Sequence, residues 1–175
     1  LWYHANGVDE SNVHVPYKPK SKGLGNSQVL PRDYVKQQEI ELVLSEMAEQ
    51  VAIRLRSIRK KTTTVSISIG YSRFEESTSF RGQMKTEPTN QTEELQKYVI
   101  SLFRKKYNGG AVRSISVFYS SFVDENITML SLFDDPEEIL KKERLQTAID
   151  AIRSQFGFTT LQKANSLTSA SRSIA

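Results

Sequence analysis

The chain has 175 residues, a formal net charge of +4, two histidines and no cysteine. That length suits one domain with appendages and is enough to bury a proper core. The absence of cysteine excludes disulfides and thiolate metal sites, His4 and His14 have no ligand spacing for zinc, and no apolar run is long enough to span a bilayer. A soluble intracellular protein, with no membrane partner, is the expectation.

Leu1-Trp2-Tyr3-His4 reads as the last turn of a helix that Asn6-Gly7 stops. Residues 11–22, with two prolines and three lysines, read either as an extended linker or as an arm laid on the next domain. Residues 23–31, GLGNSQVLP, predict a first strand. Over 33–58, Ile40, Val43, Leu44, Met47, Val51, Leu55 and Ile58 recur at steps of three and four, one apolar helical stripe. Arg54, Arg56, Arg59, Lys60 and Lys61 crowd its end, where cations complement the helix dipole.

Residues 63–72 alternate strictly: Val65, Ile67, Ile69 and Tyr71 one way, Ser66, Ser68 and Gly70 the other. After the turn FEEST, residues 79–86 predict another strand, with Phe80, Gly82 and Met84 inward and Arg81, Gln83 and Lys85 outward. A capping box of Asn90 and Glu93 is expected to open the next helix, which Asn108-Gly109-Gly110 ends. Residues 112–122 alternate again, with Ile115, Val117 and Tyr119 inward and Ser114, Ser116, Phe118 and Ser120 outward. The order strand, helix, strand, strand, helix, strand predicts an α+β fold: a four-stranded, mostly antiparallel sheet with two helices on one face.

Residues 136–156 predict a C-terminal helix, capped by Asp135 with Pro136 at its first position. Its apolar side is Ile139, Leu145, Ala148, Ile149, Ile152 and Phe156. The last residues are small and polar and are expected to fray.

The uncovered face of such a sheet would carry Ser, Gly, Arg, Lys and Gln. That pattern fits an ordinary solvated face. It also fits a surface that follows a phosphate backbone, because a serine hydroxyl donates to phosphate oxygens without bulk and Arg81, Lys85 and Arg113 add charge. No catalytic constellation accompanies it: no Ser–His arrangement, no converging carboxylates, no phosphate-binding glycine loop with its lysine.

SKGLGNSQVLPRDY, the long amphipathic helix, VSISIGYS, the second helix and VRSISVFYSSF together resemble the C-terminal part of Y-family DNA polymerases of the UmuC/DinB group, in the UvrX-like damage-repair branch. The resemblance implies a little-finger domain over 21–126, preceded by the end of a thumb and a linker over 1–20. It also implies that the palm, with its Mg2+-binding carboxylates, lies upstream, so that this chain alone would not polymerise and needs no cofactor of its own. The implied partners are primer–template DNA, the parent's palm and thumb, and the bacterial sliding clamp. Carried over by position, the implied DNA contacts are Lys22, Gly23, Gly25, Asn26, Ser27, Arg81, Arg113 and Ser114. Some members have further arginines on the last strand where this chain has Ser114 and Phe118.

Met129-Leu130-Ser131-Leu132-Phe133, within an extra C-terminal segment 127–175, matches four of five positions of a clamp peptide similar to Gln-Leu-Ser/Asp-Leu-Phe. Leu132 and Phe133 would enter a greasy groove, while Met129 forgoes the polar rim contact that glutamine makes. The same run also reads as a short strand or a core anchor for the C-terminal helix. Two further functional classes remain in view. One is an interaction module recruited through LSLF without DNA binding. The other is a ferredoxin-like RNA binder, against which stands the lack of strand-face aromatics other than Phe118.

Overall fold

Two alternating strands, each apolar on one side only, must pair with those sides together and be covered. In the computed structural model, which describes residues 2–8, 14, 22–76, 78–126 and 135–172, they do. A short helix α1 (Trp2–Ala5) is followed by β1 (Gly23–Tyr34), α2 (Gln37–Ser57), β2 (Lys60–Tyr71), β3 (Phe80–Thr89), α3 (Thr92–Lys106), β4 (Val112–Asp124) and α4 (Pro136–Phe156). The strands form one sheet in the order β1-β4-β2-β3, and every neighbouring pair is antiparallel. The α+β architecture expected from the sequence is the one observed. α2 lies over β1 and β4, α3 lies over β2 and β3, and the two helices pack on each other.

Register joins the strands into a core. Ile67 faces Val117, Ile69 faces Ile115, and Val65 faces Tyr119. All six are buried, against Ile40, Leu44, Met47, Val51 and Leu55 of α2 and Leu95, Val99 and Phe103 of α3. Gly82 faces Ile67 where Leu102 of α3 comes down on the sheet. The Tyr119 hydroxyl donates to the Ala48 carbonyl (3.0 Å), and burial holds this phenol well above its ordinary pKa. Arg104 of α3 grips Glu41 of α2 through two hydrogen bonds, 2.8 and 2.6 Å, which lower the Glu41 pKa.

Boundaries differ from the sequence expectation for local reasons. β1 continues through Pro31 to Tyr34, and α2 starts only at Gln37. Proline is tolerated on an edge strand, and Tyr34 is the residue this extension buries. β2 starts at Lys60 because Arg59 takes a left-handed conformation (φ 53°) and turns the chain from helix to strand without a loop. The capping box expected at Asn90 and Glu93 does not form. The Thr89 hydroxyl instead accepts from Gln91 N (3.1 Å) and donates to Glu94 (2.5 Å), while the Asn90 amide reaches Glu125 (3.2 Å). Asp135 caps α4 as expected, accepting from Glu137 N at 2.9 Å.

The tail does not fray over its described part. Two 3-10 turns, Phe158–Thr160 and Ala164–Leu167, carry the chain back to α2. There Ala170 O accepts from the Tyr34 hydroxyl (3.1 Å), and Glu46 accepts from Ser171 Oγ (2.5 Å) and Arg172 N (2.7 Å). The expected apolar side of α4 is largely uncovered, with Leu145 and Phe156 each more than 60% exposed. Charge ties α4 down instead. Arg153 donates to Glu49 of α2 (2.8 Å) and to the Leu161 carbonyl. Arg56 holds Asp150 through two bonds (2.5 and 3.0 Å) as well as Asn90 O and Thr92 Oγ1. The helix-end arginines are therefore engaged in tertiary contacts as well as complementing the dipole. No helix among the described residues is long and apolar enough to cross a membrane.

A buried ion pair broken on one side leaves the other charge stranded, at a cost of about 3–5 kcal/mol. Arg153→Met should therefore lower stability by about 3 kcal/mol in urea unfolding and speed amide exchange in α4, with sheet protection less affected. Arg153→Met/Glu49→Leu should recover most of the loss. A single variant as stable as wild type would show that α4 is held by something else.

Candidate nucleic-acid interface

The face of the sheet opposite the helices is read directly from the register. Residues paired across antiparallel strands share a face, so the outward positions line up in rows. One row is Ser27, Ser116, Ser68 and Arg81. The next is Gly25, Phe118, Ser66 and Gln83, and the next is Gly23, Ser120, Thr64 and Lys85. On the other side of the first row stand Val29, Ser114 and Gly70. None of these positions is acidic. The middle rows enclose a shallow hollow of about 410 Å³ lined by Ser66, Ser68, Arg81, Gln83, Ser116 and Phe118.

Small side chains here have two causes. Some keep the surface low: Ser27 Oγ and Ser116 Oγ lie 2.7 Å apart and share a proton donor, which leaves lone pairs and a second hydroxyl hydrogen for a ligand. Others make room for a neighbour within the protein. A methyl at Gly25 would overlap the Phe118 ring, and one at Gly70 would overlap Ser114 Oγ. Phe118, 45% exposed, lies across Gly25 as the one aromatic among the outward positions of these rows.

The structure sorts the residues singled out from the sequence. Gly23, Gly25, Ser27, Arg81 and Ser114 share the open face. Lys22 is exposed just before β1. Asn26 pairs with Val117 and so turns to the helix layer, where its amide donates to Gln50 (2.7 Å); it is separated from the others. Arg113 falls in the irregular step between Ser114 and Val112, outside the rows, with its guanidinium 3.5 Å from Asp33. Arg81 and Lys85 are exposed, and no ion pair engages either among the described residues. Met129, Leu130, Ser131, Leu132 and Phe133 lie outside the described residues. Ser66, Ser68, Gln83 and Ser116 join Arg81 in the hollow. Their outward parity is legible in the sequence; their convergence requires the strand register.

Residues 21–132 match the family model described as the impB/mucB/samB family C-terminal domain. The chain belongs to that family. It is 39% identical over 171 residues, 97% of its length, to a putative UV-damage repair protein UvrX of Bacillus subtilis. It is 37% identical over 172 residues to a DNA polymerase IV 2 of the same organism, and 34% identical over 173 residues to a DNA polymerase IV 2 of Halalkalibacterium halodurans. It covers 97% and 98% of itself in these two matches, but spans only 41–42% of the length of all three relatives. The family match covers the whole sheet with α2 and α3, and stops before α4. A magnesium site of the kind the family resemblance assigns to the palm needs converging carboxylates. Among the described residues no three His, Asp or Glu side chains come together, so these residues do not fit it.

The contact between Gly25 and Phe118 is testable. Gly25→Ala should cost about 1 kcal/mol by forcing the ring aside. In a double-mutant cycle with Phe118→Ala, read by urea unfolding, the two changes should couple by at least about 0.5 kcal/mol. Additive effects would mean that the ring yields freely.

Proposed function

We propose that this chain is the DNA-binding little-finger portion of a damage-bypass polymerase, and that its open sheet face grips the primer–template backbone with little regard for sequence. The observation that carries the reading is the four rows of the open face that hold no acid: hydroxyls and glycines on β1, β4 and β2, with Arg81 and Lys85 on β3. Backbone binding of this kind needs donors and positive charge, without base-edge readout. Family membership and relatives named as repair proteins and polymerases support it. The palm and thumb of the parent enzyme would supply the chemistry, and residues 129–133 would dock the chain on a sliding clamp through Leu132 and Phe133.

Fluorescence anisotropy on a labelled primer–template duplex, across a salt series, tests the grip. Binding should weaken as salt rises and be indifferent to sequence. Arg81→Gln should make the salt dependence shallower by about one unit of slope, as expected for one lost phosphate contact. Arg113→Glu should matter less than Arg81→Glu, because Arg113 is held by Asp33. No binding at low salt, or full affinity in Arg81→Glu, would leave the chain as an interaction module. Leu132→Ala/Phe133→Ala should abolish capture by immobilised clamp while leaving duplex binding intact; undiminished capture would remove the clamp assignment.

A further inference from the structure

On the helix layer, the side of α3 turned away from the sheet borders two hollows. The first is a shallow trough of about 760 Å³ along the helix, where Lys97, Arg104 and Lys105, with Lys163 from the tail, surround Ile100. Arg104 is engaged by Glu41, but Lys97, Lys105 and Lys163 are exposed and no ion pair engages them among the described residues. The second is a recess of about 450 Å³ beside the start of α3, with Leu145 and Ile149 of α4 and Leu161 as its apolar walls. Glu93, Lys97 and Lys163 line both hollows, so the two join into one groove. The wall of the recess is fixed in place. Arg153 holds the Leu161 carbonyl through two bonds (3.0 and 2.7 Å) and is itself paired with Glu49 of α2 (2.8 Å). Leu145 and Leu161 nevertheless remain 62% and 39% exposed.

We propose that this groove docks an acidic peptide of a partner protein, an extended segment that joins one large apolar side chain to a run of carboxylates. The inference does not depend on the DNA reading of the open sheet face, which lies on the other side of the domain. Its ground is charge complementarity combined with an apolar end. The trough sets four cations against one carboxylate, that of Glu93. Complementing the helix dipole accounts for Lys105 in the last turn of α3, but not for Lys97 in its first half or for Lys163 from the tail. Of the acids in the recess, Glu49 is taken by Arg153 and Glu94 by the Thr89 hydroxyl. A sugar–phosphate backbone would use the cations and leave Leu145, Ile149 and Leu161 idle, and aliphatic walls give stacked bases no aromatic platform. A leucine or phenylalanine side chain uses those walls as an anchor pocket. Length then fixes the occupant. Glu93 to Lys105 is roughly 18 Å of helix, which an extended peptide covers in about five or six residues. One anchor and about four acids fill the groove.

The test titrates the 175-residue chain into fluorescein-labelled peptides, Leu-Phe-Asp-Asp-Asp-Asp and its reverse, with hexa-aspartate as the comparison. One of the two anchored peptides should bind at least about tenfold more tightly than hexa-aspartate, and binding should weaken as salt rises. Leu145→Asp should weaken it by about tenfold, and Lys97→Gln and Lys105→Gln by about threefold each. All three positions are exposed, so the variants should keep the wild-type circular dichroism spectrum. Arg81→Gln, on the open sheet face, should leave peptide affinity unchanged. Failure of both anchored peptides to bind at low salt overturns the proposal. So does equal binding of hexa-aspartate, or full affinity in Leu145→Asp, since the lysines would then attract charge without a docking site. Displacement of the peptide by a short oligothymidylate, whose own affinity falls in Lys97→Gln, would assign the groove to nucleic acid and overturn the proposal as well.

Discussion

The antiparallel pairing of β2 with β4 is the constraint on which the rest depends. It sets Ile67 against Val117 and, one residue along, Ser68 against Ser116. The same register that assembles the core on one side thus assembles the hydroxyl rows on the other. A slip of one residue would exchange the two sets, exposing isoleucines and burying serines, and the hydrophobic cost forbids it. The open face is therefore as rigidly specified as the core, although its own residues hold little of it in place.

α2 carries the remaining architecture. It buries one side against the sheet and presents Glu46, Glu49 and Arg56 to the segments that arrive last in the chain. The C-terminal helix is attached by these polar bonds, in contrast to α3, whose Leu95, Val99 and Phe103 are fully buried. The sheet with α2 and α3 is one cohesive unit, and α4 with the tail is an attachment to it. The extent of the family match, which ends before α4, follows the same division.

Alternation and helical spacing made both faces of β2, β3 and β4 legible from residues alone, because each has a clean apolar set every second position. β1 is harder to read. Its outward positions are Gly23, Gly25 and Ser27, and only Leu24 and Leu30 reveal that Asn26 belongs with the covered side. Arg113 could not be assigned from parity, since the irregular step beside it breaks the count. The cap of α3 moved by one residue because Thr89, Asn90 and Gln91 compete for the same role and the winner is chosen by partners elsewhere, Glu94 and Glu125. Arg54 and Arg56 had a sufficient local explanation at a helix end. Their actual partners, Gly25 O and Asp150, are 29 and 94 residues away, where no local pattern reaches. The tail gave no apolar signal because it is held by hydrogen bonds to Tyr34 and Glu46.

The return of the tail to α2 decides where the carboxyl end of the described chain emerges. Arg172 N is bonded to Glu46, on the helix layer and across the sheet from the hydroxyl rows. A fluorophore, affinity handle or surface tether joined beyond this residue would leave from the back of the domain. Immobilised through that end, the chain would present its serine-lined front to solution.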